Sequence, residues 1–285
     1  ALPDRPPMAR MMRANGRVHL ELAGPKAVVR VEVAELARKE GVARTTFTAD
    51  LAAGLVTFDG MSGIHAPAFF QMIGAFTNEC RQYFRFDGPV KIAASGVVDY
   101  LGLTNTNFKG IVETERMGIG PFMTENCSFM MTMTGMTSTV TGVKGRSYGG
   151  DFTGSAMFVL PSHSSSNIAY VVEARVEDAD FKELITVAMA EKEKITYSGR
   201  LGGRARITGL LGEGNGRTAL GGGFVYVKKG HIFTLPVFGG LTRFMTKYVP
   251  GVDFILEQTD ARADFSIRDG KVSSDEILVE GGIIT

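Results

Sequence analysis

Apolar and polar residues alternate with a period of two along most of this chain, and that pattern restricts its fold more than any other feature. Successive side chains of a strand point to opposite faces, so the pattern specifies sheets with one oily and one wet side. "RTTFTADL" puts Thr45, Phe47, Ala49 and Leu51 on one face and Arg44, Thr46, Thr48 and Asp50 on the other. "YVVEARVE" sets Tyr170, Val172, Ala174 and Val176 against Glu173, Arg175 and Glu177. "VVRVEV" sets Val29, Val31 and Val33 against Arg30 and Glu32, and "FMMTMT" sets Phe129, Met131 and Met133 against Met130, Thr132 and Thr134. Further strands are predicted near 15–22, 90–98, 107–117, 136–143, 152–160, 203–210, 217–228 and 253–258. In "RADFSIRDGKVSSDEILVEGG" (262–282) an alternating strand meets Asp269-Gly270, the chemistry of a tight hairpin turn, and a second strand follows. The expectation is a mainly β chain.

Three segments break the alternation and read as short amphipathic helices. In "HAPAFFQMIGAFTNECRQYF" (65–84), Phe69, Met72, Ile73, Phe76 and Cys80 fall at helical spacing behind Pro67. "DADFKELITVAMAEKEK" (178–194) carries Phe181, Leu184, Ile185 and Ala188 on one stripe, with Asp180 as N-cap. "PVFGGLTRFMTKYV" (236–249) groups Val237, Phe238, Leu241, Phe244, Met245 and Tyr248, interrupted by Gly239-Gly240. "FDGPVKIAASG" after the first helix and "YSGRLGGRARITG" after the second suggest repeat units of about 15–110 and 111–285; convergent turn chemistry explains the likeness as well. Strands resume directly after the polar loops "PSHSSSN" and "GEGNG", so residues 1–285 are expected to form one elongated β segment.

The 31 basic and 30 acidic residues are well mixed, and this balance gives no footprint for nucleic acid. Cys80 and Cys127 read either as two small buried side chains or as one disulfide. The chain opens "ALPDRPP" without an initiator Met and ends in "VEGGIIT", so a segment of a longer protein is expected, with any membrane anchor outside it.

Motifs for chemistry are missing from the sequence. His19, His65, His163 and His231 are scattered, without the spacing of a metal site. Asp178, Asp180 and Glu183 could be imagined as an acid/base pair, but their place at a helix start favours capping. "GEGNGRTALGGG" lacks the phosphate-cradle pattern and reads as a turn followed by the close approaches of a bent strand. No catalytic residue, metal or cofactor is expected, and the chain is read as a non-enzyme. Methionine stands out at 14 residues, with Met123, Met130, Met131, Met133 and Met136 in one cluster; its adaptable side chain suits core filling or mobile apolar partners.

Two stretches carry a family resemblance: "GGDFTGSAMFVLPSHSSSNIAYVVEARVEDADFKELI" (149–185) and "GGGFVYVKKGHIFTLPVFGGLTRFM" (221–245), followed by "ADFSIRDGKVSSDEILVEGG". With them the chain resembles the AsmA-like family, which includes TamB-type and YhdP-type envelope proteins. The resemblance implies a long, twisted antiparallel sheet curved into a groove, a β-taco-like form, with helices packed on or capping it. It also implies a periplasmic segment of a diderm bacterium whose parent is anchored in the inner membrane. The implied role is phospholipid transport between inner and outer membrane and outer-membrane homeostasis, with lipid acyl chains as partners, envelope proteins as further ones and no catalytic residue.

The physics of that role is coherent. Exposing acyl chains costs about 0.8 kcal/mol per methylene, on the order of 20 kcal/mol for roughly 30 methylenes, so a carrier needs continuous apolar surface. Alternating strands supply it. Candidate lining residues are Phe47, Leu51, Phe129, Met131, Met133, Phe158, Tyr170, Val172, Val176, Phe224, Tyr226 and Phe265. The same residues could form a closed core beneath the helices. Besides the carrier, two alternatives stand: a structural or protein-interaction β scaffold, and a glycan-acting enzyme that the scattered carboxylates argue against.

Overall fold

The computed structural model describes residues 13–23, 26–38, 41–64, 84–87, 89–119, 122–160, 167–189, 198–211, 217–231 and 259–281. Strands hold 82% of these, in one long antiparallel open sheet that does not close into a barrel. In chain order the first strands are β1 (Arg13–Ala23), β2 (Lys26–Arg38), β3 (Gly41–Asp50), β4 (Leu55–Ser62) and β5 (Phe84–Phe86). Then come β6 (Val90–Asp99), β7 (Asn107–Ile119), β8 (Phe122–Thr134), β9 (Thr137–Ser147) and β10 (Gly150–Val159). β11 (Ile168–Asp180) leads into the helix α1 (Phe181–Met189), and β12 (Ser198–Leu211), β13 (Leu220–His231), β14 (Thr259–Arg268) and β15 (Lys271–Gly281) complete the chain. Strand order follows chain order from β1 to β15, except that β4 pairs with β6 and the short β5 lies off the path beside β7.

Most sequence expectations for strands match this order, with two exceptions. β4 and β5 were not anticipated. In β4, "LVTFDGMS", the apolar run Val56, Phe58 is followed at the next same-face position by Gly60, while Met61 stands 62% exposed on the other face, so the alternation is blunted. The strand expected at 253–258 and the helices expected at 65–84 and 236–249 fall wholly or almost wholly outside the described residues. The hairpin at 262–282 forms as its turn chemistry requires: Asp269 and Gly270 have φ of 51° and 71°, and Arg268 pairs with Lys271 across them.

Contacts divide the chain into two compact units. One comprises Ala1–Gly120, Glu125–Lys144 and Ala156–Ile168; the other comprises Pro121–Thr124, Gly145–Ser155 and Ala169–Thr285. In the second unit the core forms where α1 meets the sheet. The Asp180 carboxylate accepts from the Glu183 backbone N–H at 2.9 Å, which fixes the first turn of α1. Phe181, Leu201 and Val227 are buried together, and Leu184, Ile185 and Val176 pack against them. The predicted stripe of α1 is therefore the packed one at Phe181, Leu184 and Ile185. Asp178 adopts a positive φ of 57° just before the helix, and Arg200 grips its carboxylate at 3.0 and 2.8 Å. That guanidinium holds the Asp178 carboxyl below its ordinary range. Asp180 thus caps α1, as expected, and Asp178 forms an ion pair with Arg200.

In the first unit one carboxylate organises a whole connection. Asp99 ends β6 and is buried, at 5% exposed. Its oxygens accept from the backbone N–H groups of Gly102 at 3.0 Å, Leu101 at 3.1 Å and Asn105 at 3.2 Å, and from the Asn105 side-chain amide at 2.9 Å. The N–H bond from Gly102 is the leading cause of a carboxyl held below its usual value, and that from Asn105 comes next.

Two outcomes are expected. Asp180→Ala should lower unfolding stability by about 1 kcal/mol, read by chemical denaturation, because α1 loses its cap. Asp99 is more acidic folded than unfolded, so its contribution is complete above the unfolded pKa and disappears as pH falls through the folded one. Asp99→Asn should therefore melt at a lower temperature than the parent at neutral pH. The gap should narrow in acid, as thermal melts across the acid range would record.

Candidate functional site

Each unit builds its own one-sided apolar surface, and backbone register shows how. In the first unit a row crosses five strands: Val31 on β2 lies opposite Phe47 on β3, Phe47 opposite Phe58 on β4, Phe58 opposite Gly96 on β6, and Gly96 opposite Phe108 on β7. Gly96 has φ of 146°, and a Cβ there would overlap the Asn107 carbonyl and the Phe108 side chain. Glycine thus lets the Phe58 and Phe108 rings approach across the intervening strand to 6.1 Å between centroids. Val29, Ala49, Val56 and Val98 align on one side of this row.

On its other side lies a row of small residues: Thr45, Gly60, Ala94 and Gly110. The Thr45 hydroxyl is occupied within the sheet, donating to the Asp59 carbonyl at 3.1 Å. Beyond it the larger Ile92 and Val112 return, in line with Ala43 and Ser62. The small-residue row has larger side chains on both sides only at β7, between Phe108 and Val112; at β3 and β4 its far neighbours are Ala43 and Ser62, and at β6 its near neighbour is Gly96. Four strands at about 4.8 Å spacing make this small-residue row about 14 Å long, close to the roughly 15 Å depth of one leaflet's hydrocarbon.

The opposite face of the same strands is polar, with rows such as Thr46–Asp59–Ser95–Lys109. A depression of about 640 Å³ lies there, floored by the backbone behind the small-residue row and edged by Met61, Ile111 and Met130. It is open, and its charged border carries both signs: Arg44, bonded to Glu35 at 2.8 Å, with Asp59 and Lys109. Met130 on this face places Phe129, Met131 and Met133 by alternation on the apolar one, where Met133 is 8% exposed. Phe158 on β10 is half-buried between the exposed Met157 and Val159.

The second unit repeats the division with different residues. Leu201, Gly203, Ala205 and Ile207 on β12 lie opposite Val227, Val225, Gly223 and Gly221 on β13. Those in turn face Ala261, Ala263, Phe265 and Ile267 on β14. Val176, in contact with the Phe181–Leu201–Val227 core, belongs to this apolar face, and Val172 and Tyr170 follow it by alternation. The other face is charged. Glu173 receives Arg204 at 3.3 Å and Arg206 at 3.0 Å, and Arg262 lies 5.1 Å over the Phe224 ring.

Three of the twelve candidate lining residues leave the apolar face. Phe224 and Tyr226 project from the charged face of β13, opposite Arg204 and Gly202, with their rings stacked at 6.5 Å and Lys228 over Tyr226 at 5.2 Å. "FVYV" is apolar at both parities, so only pairing decides which side faces the core, and Val225 and Val227 take it. Leu51 is the third. β3 ends at Asp50, whose carboxylate accepts from the N–H groups of Ala52 and Ala53 at 3.1 and 2.9 Å, and Leu51 sits in that turn, 49% exposed. Sequence reading missed Phe58 and Phe108; the alternation Phe108, Gly110, Val112 was the available signal for the second.

None of the largest wholly buried side chains among the described residues, Ile64, Val90, Thr106 and Cys127, is aromatic. Cys80 lies outside the described residues. Among the described residues no cluster of His, Cys, Asp or Glu is able to hold a metal ion, and no helix is long and apolar enough to cross a membrane. Comparison with protein-family models, with curated proteins and with solved structures finds no match.

Proposed function

We propose that this chain is an AsmA-like β-groove segment that binds lipid acyl chains and supports phospholipid transport between the two membranes of a diderm envelope. It would work in the periplasm without catalytic chemistry, within a parent anchored in the inner membrane. The observation that supports this reading is the one-sided apolar face, on which the Phe47–Phe58–Phe108 row runs beside the small residues Thr45, Gly60, Ala94 and Gly110. The small residues leave shallow room beside the rings, and the length of their row, set by strand spacing, suits a hydrocarbon tail laid across the strands.

The mechanism is one of solvation. A tail leaving a bilayer loses about 0.8 kcal/mol per exposed methylene, and an apolar face returns most of that without specific bonds. Because the contacts are non-directional, the tail can slide from row to row, with no single position deep enough to trap it. Methionines on the same β8 strand, Met131 and Met133, carry side chains that adapt to chains of different shape. The charged rows on the reverse side keep that face in water.

Transfer of a fluorescent phospholipid between liposomes, with mass spectrometry of organic extracts of the purified protein, tests the reading. Phe58→Asp and Met131→Asp should reduce transfer about tenfold or more, since a carboxylate against hydrocarbon costs several kcal/mol. Thr57→Asp, one residue away on the wet face, should transfer as the parent does, and circular dichroism should show all three folded. Equal transfer by Phe58→Asp and Thr57→Asp, or extracts free of lipid, would leave the scaffold reading in its place.

A further inference from the structure

Two connections of the first unit, 51–54 between β3 and β4 and 100–106 between β6 and β7, form one tip with an apolar surface. Neither connection contains a charged residue. Leu51 is 49%, Tyr100 48% and Leu101 64% exposed, and Ala52 and Ala53 are exposed beside them. The two connections are locked together. The Tyr100 backbone N–H donates to the Gly54 carbonyl at 3.0 Å, and its hydroxyl donates to the Leu51 carbonyl at 3.4 Å. Leu101 lies over Gly54, where a Cβ would overlap its side chain. Toward the other ends of β6 and β7 the surface is charged, with Lys91, Glu113, Glu115 and Arg116 all exposed.

Oily loops suit a hydrocarbon partner only if their backbone does not need water, because each unbonded N–H is costly to carry into an apolar medium. This tip meets that condition. The Asp50 carboxylate takes the N–H groups of Ala52 and Ala53, and the Asp99 carboxylate takes those of Leu101, Gly102 and Asn105. Leu51 donates to the Ala27 carbonyl, Leu103 to that of Asp99 and Thr106 to that of Leu103. The exposed Thr104 and Asn105 side chains also donate inward, to the Gly102 carbonyl at 3.4 Å and to Asp99 at 2.9 Å. With its polar groups turned inward, the tip offers little to orient a protein partner. A bilayer needs no such groups, and it takes leucine side chains in its hydrocarbon and a tyrosine ring at its headgroups. The tip also continues the apolar face: Val28, Asp50, Leu55 and Asp99 form the last rung, and the Val29–Ala49–Val56–Val98 row is the next.

We propose that this tip, carrying Leu51, Tyr100 and Leu101, inserts into the interfacial region of a lipid bilayer and seats this end of the first unit's strands on the membrane. The leucines enter the acyl boundary, and the Tyr100 ring stays at headgroup level. Because no charge takes part, the contact needs no anionic lipid and salt does not release it. The inference stands without the acyl-chain reading of the sheet. Together with that reading, it sets the Val29–Ala49–Val56–Val98 row where a tail leaves the bilayer.

The chain contains no tryptophan, so one placed at the tip reports alone. With phosphatidylcholine vesicles, Leu101→Trp should show a blue-shifted emission that brominated lipid quenches, in low and high salt alike. Lys91→Trp, toward the other end of β6, should show neither effect. Co-sedimentation should find the Leu51→Asp/Leu101→Asp chain bound about tenfold more weakly than the parent, or worse, with circular dichroism reporting its fold. Leu101→Trp keeps the tip apolar and decides the matter if the charged variant does not fold. Phe58→Asp should bind vesicles as the parent does while failing to transfer lipid, so loss of the apolar row and loss of the tip read out separately. A parent that ignores vesicles, a Leu101→Trp emission that vesicles leave unchanged, or a folded charged variant that sediments like the parent would overturn the proposal. So would an emission shift driven by protein concentration alone, which would give the tip to a second copy.

Discussion

Lateral hydrogen bonding between neighbouring strands is the constraint on which the rest of this structure depends. Each ladder fixes which residue stands opposite which, and because side chains alternate, fixing one pair fixes the face of every residue on both strands. Phe47 opposite Phe58 and Phe58 opposite Gly96 are consequences of that bookkeeping, and so is the row of small residues beside them. A slip of one residue between β3 and β4 would place Phe58 in line with Arg44-side positions and turn the apolar row toward water. The burial of Val31, Ala43 and Ala49, at 6%, 6% and 8%, is the energetic penalty that holds the register in place.

The same constraint separates two environments with little intervening structure. In the second unit, α1 covers the apolar face at Leu201 and Val227, while the reverse of the same strands carries Arg204, Arg206 and Glu173 in ion pairs. Those pairs are exposed and contribute modestly, so the charged face provides solubility more than stability. The cation–aromatic contacts at Phe224 and Tyr226 account for two aromatic rings on a wet surface without requiring a ligand there. An oily surface of fixed pattern with a water-compatible reverse is what a lipid-handling sheet requires.

Much of this was legible in the residues, and the failures share one cause. The faces of Phe47, Met131, Val172, Val176 and Phe265 follow from strict alternation, which is a local property. Asp180 as a helix cap and Asp269-Gly270 as a turn are equally local, since each depends on contacts or backbone angles within a few residues. Leu51 was misplaced because Asp50 ends its strand through its own side chain, turning the chain one residue before the alternation stops. Phe58 was missed because the glycine after it, Gly60, hides the period.

By itself the sequence determined the class of the fold, the sidedness of its strands and the turns and cap that bound them, because these need only backbone geometry and solubility. Tertiary structure decided which parity of "FVYV" faces inward, which small residues line up in one row, and which aromatic rings meet across an intervening strand. Those outcomes depend on pairing between residues far apart in the chain, such as Val227 with Leu201 and Ala261, where no local pattern states a preference.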